Sequence, residues 1–187
     1  MLRPFLMAAI AAVVLCIAPA QAQPAVASKA LNQLFADEWE RGLVESPESA
    51  SGNGDNRFND RWTDYSLAAI AKREGEDRAA LAKLHAIGRP GLTPADQLNY
   101  DTFEWQLERS IERQQFHEYL QPINHQGGVQ TADGLAEVLP FASVKDYQDW
   151  LKRMAAVPTL VDQAITLMRE GAKSGNVPPK VLMQRVP

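Results

Sequence analysis

Cys16 is the only cysteine in the chain, so no intrachain disulfide can hold it together. Histidine is almost as scarce. His85, His117 and His125 are the three present, and no two stand at the i, i+4 spacing by which one helix face offers paired imidazoles to zinc. In His117-Glu118-Tyr119-Leu120-Gln121 a glutamine occupies the second histidine position, and Pro122 follows at once. There is no G-x-S-x-G, no glycine-rich phosphate loop and no catalytic cysteine. The residues therefore name no catalytic or metal-binding group. Strand-like alternation of useful length is also missing, which leaves an all-α class. Basic clusters are missing too: the net charge is −4, which argues against nucleic acid and anionic membrane surfaces as partners.

The first residues carry a targeting pattern. Arg3 gives a short positive region, Phe5 to Ala18 is apolar, and Ala20-Gln21-Ala22 offers a small-residue cleavage site. The apolar run is too short to span a bilayer comfortably. Export is expected, with a leader over residues 1–22 removed after Ala22, a periplasmic or secreted product and no stable membrane anchor. Leu15 before Cys16 speaks against lipid attachment, which favours a small residue there. Cleavage removes both Cys16 and Arg3, so residues 23–187 must rely on packing for stability. Their length suits one helical domain.

Start and stop signals then divide the chain into helices. Ala25 to Ser46 carries Leu31, Leu34, Phe35, Trp39 and Leu43 at helical spacing, an apolar stripe expected in the core. Ser46-Pro47 ends it. Ser49 to Tyr65 is rich in turn formers, yet holds Arg57, Phe58, Arg61, Trp62 and Tyr65. It is expected to be an irregular loop anchored by its rings, with Arg57 and Trp62 as ligand-edge candidates. Ser66 caps Leu67 to Ile87, where Gly75 allows a break and Gly88 with Pro90 makes a stop.

Thr93, Pro94 and Asp96 form the strongest helix start. Tyr100, Phe103, Leu107 and Ile111 follow on one side, with Leu98 and Trp105 off that stripe. A helix with apolar residues on more than one side is expected to need more than one partner, leaving Trp105 accessible in this chain. Past it, Gln121 to Gln130 combines Pro122, Gly127 and Gly128 with polar amides. Two roles stay open for this loop: a structural connection whose amides satisfy backbone groups, or a ligand surface built on Asn124, Gln126 and Gly128. A short helix is expected over Thr131 to Leu139. Ser143 with Asp146 caps the next, placing Val144, Tyr147, Leu151 and Met154 on one face. Pro158 to Lys173 closes at Gly175, and a new helical pattern starts after Pro178-Pro179.

Several motifs in register resemble one family. They are Pro47-Glu48-Ser49-Ala50 with Gly54, Asp64-Tyr65-Ser66, Asp96-Gln97-Leu98-Asn99-Tyr100-Asp101, and Pro122-Ile123-Asn124 with Gly128. Pro140-Phe141, Asp146-Tyr147, Leu167-Met168-Arg169-Glu170-Gly171 with Gly175, and Pro178-Pro179 complete the set. Their order and spacing over residues 31–187 resemble the N-terminal part of the bacterial "domain of unknown function 885" proteins. His125 departs from the pattern, where a glutamine is expected. The resemblance implies a longer, exported, mostly helical protein similar to zinc-dependent peptidases of the gluzincin-like kind. It also implies that zinc is held by a C-terminal His-Glu…Gly-His segment, which nothing here matches, and that the substrate is a peptide. The fold class expected is thus all-α, an irregular multi-helix array forming an incomplete part of a larger helical protein. No cofactor is expected on this chain itself. A stand-alone periplasmic binding or interaction module is the alternative.

Overall fold

A computed structural model describes residues 22–186. The leader expected over residues 1–22 therefore lies, but for Ala22, outside the described residues. Among them are seven α-helices and no β-strand: α1 Ala22–Glu45, α2 Pro47–Gly52, α3 Leu67–Ile87, α4 Pro94–Gln114, α5 Val144–Ala155, α6 Val157–Ser174 and α7 Lys180–Met183. Short 3₁₀ turns lie between them, and the class is all-α.

The long helices α1, α3 and α4 form a bundle in which α3 runs against the other two. At one end, the two Asp77 oxygens on α3 accept from Arg41 of α1 (2.9 Å) and from Ser110 of α4 (2.7 Å). At the other, Ser28 of α1 donates to Asp96 of α4. Leu31, Leu34, Ala80, Leu84, Leu92, Tyr100 and Leu107 fill the space between. Phe35 meets Phe103 edge to face at 5.1 Å.

Local chemistry sets the helix ends. The Ser66 and Thr93 hydroxyls accept from the backbone N–H three residues on, at 3.2 Å each. Ser143 and Asp146 exchange such bonds in a capping box. Gly175 closes α6 in the left-handed region.

Two expectations need correction, and one break that the sequence allows does not occur. Helix α3 runs unbroken through Gly75, because neighbouring helices hold that turn: Arg41 binds Asp77, and the Gln114 amide donates to the Glu74 carbonyl. The segment after Ser46 is not wholly irregular, since α2 occupies Pro47–Gly52. Trp39 is not core: it is 60% exposed. Helices α3 and α4 cover one side of α1, and Trp39 falls at the edge of the stripe, beside a shallow depression lined by Phe35, Phe103 and Leu107. Trp105, by contrast, is exposed as expected, at 61%.

A second, smaller core joins this bundle to the later helices. Ile70 at the start of α3, Leu120 in a 3₁₀ turn and Leu167 on α6 are buried together, with Tyr119 at their edge. Gly171 makes this joint possible. A Cβ there would stand 2.6 Å from the Asn176 carbonyl oxygen and 2.9 Å from that of Leu120. Asn176 then donates to the Phe116 carbonyl and accepts from the Gln121 amide.

Helix α5 sits the other way round from an ordinary amphipathic helix. Its buried residues are Asp149 and Arg153, while Val144, Tyr147, Leu151 and Met154 are exposed, Leu151 at 67%. Arg153 is fully buried. Its guanidinium donates to the carbonyls of Arg61 and Phe58, both at 2.8 Å, and to the Ser51 hydroxyl at 3.2 Å. It also lies 5.2 Å from the centre of the Trp62 ring, whose N–H donates back to the Arg153 carbonyl at 2.7 Å. Burial pulls the pKa of Arg153 below its ordinary value, and Glu48, Asp60 and Asp149 oppose that pull. The polar side of α5 is thus bonded to the 51–62 segment, and its apolar side is left facing out.

Candidate functional site

The loops on either side of the sequence, 46–65 and 119–132, close on each other over α6. Between them is a cleft of about 410 Å³, within the range of small-ligand sites. Its floor is the α6 row Leu160, Ala164 and Leu167. One wall is Ser46, Glu48, Ser49 and Tyr65, and the other is Tyr119, Pro122, Gly128, Val129 and Ala132. Tyr65 and Tyr119 also border a neighbouring, wider depression of about 610 Å³, which contains Arg73, Arg109, Arg113 and the exposed Trp105. The two hollows meet at the tyrosines.

The first wall is fixed from behind. The Glu48 carboxylate accepts from the Thr63 N–H, at 3.2 Å to both oxygens, and from the Thr63 hydroxyl at 2.5 Å. The Tyr65 N–H donates to the Gln163 side chain of α6, whose amide donates in turn to Asp64 at 2.7 Å. Burial raises the Tyr65 phenol above its ordinary pKa, and the nearby Glu48 charge raises it further. The Tyr119 phenol is raised mainly by burial, with Glu74 adding to it. Both tyrosines therefore stay neutral hydroxyls at working pH.

Of the residues singled out in the sequence, Gly128 reaches this cleft. Its φ is +145°, and a Cβ would stand 2.6 Å from the Gln130 side-chain oxygen and 2.8 Å from the Pro122 carbonyl oxygen. Only glycine fits there without a shift in the wall. Asn124 works within its own turn: its side-chain oxygen accepts from the N–H groups of Gln126 (2.8 Å) and Gly127 (3.2 Å), and the Gln130 amide donates to its carbonyl at 3.0 Å. Gln126 and His125 are exposed at the tip of that turn. Arg57 lies away from the cleft, where its guanidinium pairs with Glu40 and Asp55 on the surface. Trp62 is turned inward onto Arg153. The cleft is thus lined by Pro122, Gly128 and Tyr65 rather than by Asn124, Gln126, Arg57 and Trp62.

Glu48, Tyr65 and Tyr119 were not candidates from the sequence. For the first two a signal was nonetheless present, since they lie in the family-like segments Pro47-Glu48-Ser49 and Asp64-Tyr65-Ser66.

The zinc implied by the resemblance finds no fitting ligand set here. Among the described residues, no group of three or more His, Cys, Asp or Glu side chains is placed to hold a metal ion. His85 pairs with Glu104 at 2.8 Å. His117 lies past the end of α4 with a left-handed backbone and meets the Tyr119 hydroxyl at 3.3 Å. The helical face that a paired-histidine motif requires is not formed there, and no step through zinc is assigned to these residues.

Fold and cleft together define a class: an all-helical protein with a hollow of mixed apolar and polar lining between two segments and a helix. A family model described as "Bacterial protein of unknown function (DUF885)" matches residues 47–187. The chain belongs to that family. No curated protein matches it.

Proposed function

We propose that this chain is the N-terminal helical part of an exported protein similar to zinc-dependent peptidases, and that it forms one wall of the substrate cleft. Its own residues bind and orient a peptide, and the chemistry is supplied by other parts of such a protein. One observation carries this. Segments scattered along the sequence, each part of the resemblance to the family, meet around one hollow: Glu48, Tyr65, Pro122, Gly128 and Leu167 all line it. The uncovered apolar side of α5 favours this role over that of a stand-alone periplasmic module, because exposed apolar faces of that kind mark surfaces that other protein covers.

Calorimetric titration of the purified, exported chain with short peptides tests the proposal, and the product's mass checks export through a start at Gln23. Ala132, half-buried in the cleft wall, is the position to fill. Peptide binding by the parent chain and a loss of about tenfold or more in Ala132→Trp, with an unchanged helical spectrum, are expected. Equal binding by parent and variant, or no binding by the parent, overturns it.

A further inference from the structure

The cleft between the two loops contains a carboxylate, Glu48, that makes no direct ion pair among the described residues. Glu48 accepts hydrogen bonds from Thr63 alone, and among the described residues no Lys, Arg or His nitrogen makes an ion pair with it. Arg153 shares its field, but that guanidinium directs its donors to Ser51, Phe58 and Arg61 and forms no direct ion pair with Glu48. Thr63 fixes the carboxylate in place. A carboxylate accepts at about four sites, more than the two Thr63 donors use, and its bonds to charged donors are the strong ones. Two aromatic rings, Tyr65 and Tyr119, line the same hollow as the aliphatic row Leu160, Ala164 and Leu167. Tyrosine faces attract cations, and more strongly where water is partly excluded. The elevated Tyr65 phenol, which responds to Glu48, places that ring and that carboxylate in one electrostatic environment.

We infer that this cleft is an ammonium-recognising subsite: Glu48 pairs with the cationic nitrogen, Tyr65 and Tyr119 flank it, and the α6 row takes the apolar stem beside it. The inference rests on the proposal that the cleft binds peptide, and it adds which part of a peptide enters. Two sources share this chemistry, a free peptide N-terminus beside an apolar first side chain and a lysine side chain inside a sequence.

Three small probes separate the possibilities on the unmodified chain. Leucinamide carries an α-ammonium and an apolar side chain, N-acetyl-lysinamide carries only a side-chain ammonium, and N-acetyl-leucinamide is neutral. At least one ammonium probe is expected to bind about tenfold more tightly than the neutral one, and whichever does so identifies the source. Glu48→Gln, which keeps an acceptor for Thr63, brings the ammonium probes down to the neutral level. Tyr119→Leu weakens ammonium binding several-fold. Binding of N-acetyl-leucinamide as tight as that of both ammonium probes overturns the inference, while leaving the cleft a peptide site. Failure of all three probes to bind also overturns it, and the peptide titrations then decide separately whether the cleft binds at all. Unchanged ammonium preference in a folded Glu48→Gln variant likewise overturns it.

Discussion

Arg153 is the residue on which the later half of the fold depends. A fully buried guanidinium is kept only where its donors are met, and here carbonyls from residues 58 and 61, the Ser51 hydroxyl and the Trp62 ring meet them. Replacing it with methionine keeps the stem's apolar contacts but strands those acceptors. Each buried acceptor left alone costs on the order of 1–3 kcal/mol. Arg153→Met is therefore expected to lower unfolding free energy by about 3 kcal/mol or more in urea titration. A loss below about 0.5 kcal/mol, the level of an ordinary surface change, contradicts this role for Arg153. None of this was legible in the sequence, because the acceptors lie 92 to 102 positions earlier in the chain. The positions of Asn124 and Gln126 were equally hidden: a polar turn residue looks the same whether its side chain bonds its own loop or faces a ligand.

At the scale of the element, what the sequence disclosed was what depends on near neighbours. Ser66, Thr93 and Ser143 cap the helices they precede, and Gly88 and Gly175 end them, because capping involves groups only a few residues apart. The orientation of α5 depends on distant partners. Its apolar residues do share a face, as the spacing indicates, but Arg153 and Asp149 decide which side is buried. Trp39 was misplaced for a related reason, since a stripe says which residues align and not how far the neighbouring helices reach. The orientation of α5 has a direct consequence. Leu151→Lys, on the outward face, is expected to change unfolding free energy by no more than about 0.5 kcal/mol. Leu167→Ala, in the joint between α3 and α6, is expected to cost about 2–5 kcal/mol. Comparable losses for the two substitutions in thermal or urea unfolding show that α5 is buried the other way round.

For the whole molecule, the fold explains why binding is assigned to one hollow. A three-helix bundle and a helical arm are joined by the Ile70–Leu120–Leu167 core, and the cleft lies beside that joint, with its 46–65 wall fixed by Glu48–Thr63 and Gln163–Asp64 bonds. Apolar features also remain outside it, among them the α5 face and Trp105 with Leu98 on α4. On the proposed function, these surfaces await other protein and the cleft takes the peptide. Methyl-resolved NMR of the exported chain during peptide titration distinguishes them in one measurement, because Ala132, Ala164, Leu167 and Val129 report on the cleft while Leu151, Met154 and Leu98 report on the outward faces. Saturable shifts at the cleft methyls, with the outward ones unmoved, are the expected result. Shifts confined to Leu151, Met154 or Leu98, or none at the cleft under saturating peptide, contradict the assignment of binding to the cleft.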